Sequence, residues 1–267
     1  MSTAGSNDES GRPPRFAGSA HRDGSTDQTG AAVVELRAVT FELRASGRLF
    51  GPIDLTLAAG EMAVVTGGSA TGKSVLLELV MGAFAPTAGV VLTLGEAPAM
   101  LQVAAQTRLR RRVGHVAQRG ALLTNLSLYD NLILPLAYHT RLSDAELSAR
   151  AARVLAELEI GQLPAGSASL AGRALLRQVA LARSLILDPE LLVLDDPTDG
   201  MDAVLAAATW QRLRDLQRRR GLAILAASSH PGAAIGLADH VIALGAPASR
   251  AGLESGAARQ TREASQR

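Results

Sequence analysis

The chain has 267 residues, of which 47% are hydrophobic and 3% aromatic, with a formal net charge of +2 and no cysteine. Such a length holds one large domain or two small ones, with a sizeable core made of Ala, Leu and Val. The missing thiols exclude disulfides and thiolate metal sites, no apolar run reaches the roughly 18 residues that span a bilayer, and no secretion signal opens the chain, so an intracellular protein is expected.

In chain order, residues 1–30 are rich in Gly, Ser, Asp, Arg and Pro and are expected to lack order, because that composition buries too little surface to offset ordering. Strands are predicted at Val33–Leu36, Ile53–Leu57, Met62–Val65, Val90–Leu94 and Val113–Val116, then at Leu191–Leu194, Ala223–Ala227 and Val241–Leu244. They alternate with helical segments, which argues for an α/β fold with a mainly parallel sheet covered on both faces. Between residues 117 and 191 the pattern is mostly helical. Ser143 and Glu146 have capping-box spacing, and Leu147, Ala151, Leu155 and Leu158 then share one helical face. A second helix is expected at about Leu175–Ile186 and a third at Val204–Arg220. The latter ends in three arginines before Gly221, the pattern of a dipole-complemented C-cap. The tail from 247 to 267 resembles the first one in composition.

The stretch from Met62 to Met81 carries the chemistry. A strand-like run is followed by Gly67, Gly68, Ser69, Ala70, Thr71, Gly72, Lys73 and Ser74, and then by an apolar helical run. Strand, glycine loop and helix is the setting in which GxxxxGK[ST] cradles phosphate. The glycines let successive N–H groups curl around an anion, and the following helix adds its positive end. Lys73 is expected on the β/γ-phosphates and Ser74 on Mg²⁺. Composition singles out the same residue: of 27 Lys plus Arg, Lys73 is the only lysine. A planar guanidinium cannot replace a slim ammonium inside a tight backbone loop. The remaining arginines are scattered, which argues against a nucleic-acid partner.

Downstream, Leu191–Leu194 ends in Asp195 and Asp196. In a P-loop fold Asp195 is placed to hold Mg²⁺ through water and Asp196 to orient an attacking water. Gln118, just past a strand, can reach Mg²⁺ or that water, and His230, just past another, can reach the γ-phosphate. His115, His139 and His240 have no such placement.

This ordered set resembles the nucleotide-binding subunits of ABC transporters from about Val33 to Leu244. The matching motifs are Walker A (67–74), the Q-loop (Gln118), Walker B (191–195), the D-loop (198–202) and the switch histidine (His230); Arg177–Arg183 resembles the signature helix. The segment Gly120–Asn131, with Pro135–Thr140, is similar to the ATPase of Mla/MCE-type phospholipid transport systems. The resemblance implies a P-loop ABC ATPase domain at 31–246, with core 31–118 and 187–246 and a helical subdomain at 119–186. It implies ATP and Mg²⁺ as cofactors, a homodimer or heterodimer closing over two ATP molecules, and a membrane permease as partner. It also implies a position on the inner face of the cytoplasmic membrane. Three departures stand out. The Leu-Ser-Gly-Gly-Gln signature falls, ungapped, on Ala171, Gly172, Arg173, Ala174 and Leu175, or with a one-residue insertion starts at Leu170, Ala171 and Gly172; neither register has the serine or two adjacent glycines. Asp196 replaces the Walker B glutamate. The adenine-stacking aromatic expected near Leu43 or Arg44 is missing, unless Phe41 or Phe50 serves. Slow hydrolysis is therefore expected. The rival readings are a regulatory subunit with little hydrolysis and a soluble ABC protein acting on DNA or ribosomes.

Overall fold

The computed structural model describes residues 15–16, 32–43, 48–118, 122–245 and 248–249. The tails expected to lack order lie outside these residues, apart from the two short pairs at 15–16 and 248–249.

The strands are β1 (Arg15–Phe16), β2 (Ala32–Leu43), β3 (Arg48–Ala58), β4 (Met62–Thr66), β5 (Ala88–Thr93), β6 (Val113–Val116), β7 (Leu191–Asp195), β8 (Ala223–Ser228), β9 (His240–Ala243) and β10 (Ala248–Ser249). The helices are α1 (Lys73–Val80), α2 (Val103–Arg111), α3 (Leu128–His139), α4 (Asp144–Glu157), α5 (Arg173–Leu185), α6 (Ala203–Arg220) and α7 (Gly232–Ile235). Each of the eight predicted strands is present, six of them close to the expected limits, while β2 runs on to Leu43 and β3 begins already at Arg48. The helix expected from about Leu175 begins earlier, at Arg173, on a Gly172 N-cap.

The α/β reading with a mainly parallel sheet holds. The strands fall into two sheets. A parallel sheet has the order β1-β9-β4-β8-β7-β6, while β10-β3-β2-β5 form a separate antiparallel sheet. The reason lies in the connection between β2 and β3. Residues 44–47 are too few for the crossover that parallel pairing needs, so the chain turns back and pairs antiparallel.

Alternation along the parallel strands explains the two cores. Met62 and Val64, Leu192 and Leu194, and Ile224 and Ala226 face one way, toward α3, α4, α5 and the sole tryptophan, Trp210. Ala63 and Val65, Leu191 and Val193, and Ala223, Leu225 and Ala227 face the other way, toward α1 and the antiparallel sheet. Successive side chains of a strand point to opposite faces, so a sheet buried on both reads as a continuous apolar run.

Between β6 and β7 the described chain is helical. Helix α4 opens on the expected box: the Ser143 hydroxyl accepts from the Glu146 N–H while the Glu146 carboxylate accepts from the Ser143 N–H. Asn131, wholly buried in α3, pins the preceding loop through Leu123 and the Ser127 carbonyl. At the other end of the domain α6 stops on Gly221, whose φ of 63° is one that glycine adopts without strain. The C-terminal ends of β4, β6, β7 and β8 lie together because the four run parallel and in register, and every predicted site residue follows one of them.

Candidate functional site

The glycine loop lies between β4 and α1. Gly67 and Gly72 have φ of 149° and 89°, and a Cβ on Gly72 would stand 2.9 Å from both Phe41 and Phe50. These two rings stack on each other, centroids 4.8 Å apart, and are buried beneath the loop. They form its floor. Neither is free to stack on an adenine, which closes the exception left open for them: Phe41 and Phe50 face the core from paired positions of β2 and β3.

Lys73 is only 7% exposed. Its Nζ donates to the carbonyls of Gly67 and Gly68, both at 2.8 Å, and the Thr71 hydroxyl also donates to Gly68 at 3.0 Å. The ammonium is thus drawn back into the loop, held by neutral acceptors that an anion can outcompete. Ser74 follows in the first turn of α1, with its hydroxyl near enough to the Asp195 carboxylate to favour the charged form.

Asp195 ends β7 and is 5% exposed. Its Oδ1 is buried without a hydrogen-bond partner among the described residues. Burial pushes this carboxyl above the usual carboxylate range, and the neighbouring Asp196 pushes the same way. Ser74, Lys73 and Arg177 oppose that rise without cancelling it. A buried carboxylate oxygen lacking a donor, beside a hydroxyl, is a donor set suited to a divalent cation.

Asp196 turns sharply away from the strand with φ of 46°. Its Oδ1 accepts from the Ser229 N–H at 2.7 Å, and its Oδ2 accepts from the Ser229 hydroxyl at 3.0 Å. Gln118 approaches the same Oδ2 at 3.4 Å, a long contact. The structure therefore brings Gln118, Asp195, Asp196, Lys73 and Ser74 to one place. His230 is at the same strand end but exposed, and its imidazole has no hydrogen-bond partner among the described residues. Only its backbone is tied, by the Ser228 hydroxyl.

Two participants were not assigned from sequence. Ser229 holds Asp196; the available signal was its place directly before His230 at a strand end. Arg177, buried in α5, donates to the carbonyls of Ala117 at 2.8 Å and Gln118 at 2.7 Å and lies 3.5 Å from Asp199. Arg173, one helical turn earlier, pairs with the same Asp199 at 2.8 Å. An arginine pair four residues apart above a loop carboxylate was the legible clue.

With this geometry in place, comparison with known proteins decides the family. The ABC transporter family model matches residues 50–199, more than half of the chain. The chain belongs to the ABC transporter ATPase family. This cassette is 31% identical over 223 residues to the intermembrane phospholipid transport system ATP-binding protein MlaF of Escherichia coli, covering 80% of this chain and 79% of that one. It is also 31% identical over 180 residues to the probable ribonucleotide transport ATP-binding protein mkl of Mycobacterium bovis, covering 67% of this chain and 50% of that one. Among solved structures, a dimeric ATP-binding cassette bound to ADP and Pi in a post-hydrolysis state superposes with a TM-score of 0.72. At 24% identity it covers 79% of this chain and 94% of that one. The cassette is thus an ATP-binding subunit of the ABC transporter class with the cassette fold. Among its described residues no helix is long and apolar enough to cross a membrane.

Proposed function

We propose that this cassette binds and hydrolyses ATP in a dimer that drives a membrane permease, and that the cargo is phospholipid or another hydrophobic molecule. The observation supporting hydrolysis is the convergence at one mouth of the Lys73 loop, the unpartnered Asp195 Oδ1 and the Asp196 carboxylate. The cargo reading rests on the relative named for phospholipid transport, which matches along most of both chains.

In this reading Lys73 exchanges the Gly67 and Gly68 carbonyls for phosphate oxygens. Ser74, Asp195 and Gln118 would hold Mg²⁺, which neutralises charge on those oxygens when bound. Asp196, released from Ser229, accepts hydrogen bonds from the attacking water at Oδ2, and His230 turns inward toward the γ-phosphate. Partner cassettes close over two ATP molecules and reopen after hydrolysis, with the permease sensing both states near Gln118. The subunit acts peripherally on the cytoplasmic side of its membrane.

Turnover is slow in this account. Asp196 is one methylene shorter than glutamate, and a misplacement of about 1 Å can cost roughly a hundredfold. Arg173 stands where the signature has glycine and is engaged by Asp199 rather than left open.

Mg²⁺-dependent phosphate release from ATP tests the reading. Asp196→Asn is expected to lower turnover about a hundredfold or more while nucleotide affinity stays within about threefold, since only water orientation is lost. Combining Asp196→Glu with Gly172→Ser, Arg173→Gly and Ala174→Gly is expected to raise turnover of the assembled complex. Wild-type turnover insensitive to Asp196→Asn would contradict hydrolysis at this site, and a slower restored variant would contradict the rate argument.

A further inference from the structure

Away from the nucleotide loop, at the N-terminal half of β6, lies a cavity of about 180 Å³. Arg110 and Arg111 from the end of α2, His115 from β6, Pro135 from α3 and Arg183 from α5 are among its walls. Its charge is one-sided. Among the described residues the side chains of Arg110, Arg111 and Arg183 make no ion pair or hydrogen bond. The acids nearby in the chain are engaged elsewhere: Glu190 with Arg112, and Asp188 with Arg150 and Arg153. Arg183 is half-buried, a poor place for a guanidinium without a counter-charge.

We propose that this cavity is an anion site that takes a single oxyanion group, a carboxylate or a phosphate, on Arg183, with Arg110 and Arg111 at its rim. A guanidinium presents paired N–H donors matched to two oxygens of such a group. The volume suits one group and is too small for a nucleotide, whose pockets run to roughly 300 Å³ or more.

The site's place in the fold gives an occupant leverage. Gly114 packs so tightly on α5 that a Cβ there would meet the Ser184 carbonyl at 2.2 Å, so β6 and α5 are in direct backbone contact. Gln118 follows β6 by two residues, and Arg177 of α5 donates to the Ala117 and Gln118 carbonyls. An anion joining α2 to α5 therefore braces the strand that delivers Gln118. The proposal goes beyond the nucleotide reading and stands without it.

The test uses the full chain saturated with Mg-ADP, so that the glycine loop is filled. Melting temperature is followed while glutarate, inorganic phosphate or sodium chloride is added at matched ionic strength. A ligand that binds only the folded state raises the melting temperature in a saturable way. Glutarate or phosphate is expected to do so and chloride not. The midpoint should move about tenfold higher in Arg183→Gln and in the double variant Arg110→Gln/Arg111→Gln, because each loses a charge-assisted contact. A response to glutarate alone supports a carboxylate brought by an acidic protein segment, and a response to phosphate supports a free ion. Should Arg183→Gln fail to fold, the exposed rim pair decides. No saturable rise, an equal rise with chloride, or midpoints unmoved by the variants overturns the proposal.

Discussion

Arg177 donates its Nη2 hydrogen to the Gln118 carbonyl at 2.7 Å, although the two residues are 59 positions apart in the chain. Through it, α5 fixes the backbone from which Gln118 reaches the Asp196 carboxylate, and its second nitrogen holds Ala117 as well. The guanidinium is 9% exposed, so its loss leaves two carbonyls without donors in a shielded place.

Arg177→Lys is expected to lower ATP turnover by roughly ten- to a hundredfold while nucleotide affinity changes by less than about threefold. A single ammonium cannot span both carbonyls, and misplacement of the Gln118 segment acts on chemistry more than on binding. Steady-state phosphate release and equilibrium nucleotide titration, run on the same preparation, check the split. A matched loss in both would show that Arg177 supports the whole domain rather than this segment.

How much of this was written in the sequence depends on range. The loop from Gly67 to Ser74 was legible because its chemistry is local: strand, glycines, lysine and helix follow one another within twenty residues of Met62. The buried strands were legible as well, since Leu191–Leu194 and Ala223–Ala227 are apolar on both faces. The second sheet was not, because helix and strand periodicity alone does not say which strands pair. The four residues between β2 and β3 were the overlooked signal. Ser229 and Asp196 lie 33 positions apart, and their hydrogen bonds arise only once β7 and β8 are neighbours. The place of Phe41 and Phe50 stayed open for the same reason, as pairing of their strands carries both rings under Gly72.

Asp195 supplies a pH-dependent prediction. Burial holds its folded-state pKa above the unfolded value, so its penalty is absent below the unfolded pKa and grows as pH rises through the folded one. At neutral pH the charge opposes folding. Asp195→Asn is therefore expected to raise the melting temperature of the nucleotide-free protein by about 2–4 °C, given roughly 1 kcal/mol of relieved desolvation. The gain should shrink as pH falls toward 4. Mg-ATP should stabilise the variant far less than wild type. A lower melting temperature at neutral pH would mean that the carboxylate is well satisfied without metal.

Gly72→Ala probes the floor of the loop. The new methyl meets Phe41 and Phe50 at 2.9 Å, and φ of 89° is disfavoured for any residue with a Cβ. A loss of stability of about 1–3 kcal/mol, read by urea unfolding, is expected together with a large loss of nucleotide affinity. Wild-type values for both would show that the loop relaxes freely over the two rings.

The central claim, that the glycine loop is the nucleotide site and Lys73 its cation, is tested most directly by equilibrium binding of a fluorescent ATP analogue to wild type, Lys73→Ala and Lys73→Arg. Alanine removes the loop's side-chain cation, and arginine adds bulk between the Gly67 and Gly68 carbonyls that hold Nζ at 2.8 Å. The account predicts saturable binding to wild type and at least about a hundredfold weaker binding to both variants, each melting cooperatively. Unchanged affinity in both variants would contradict it.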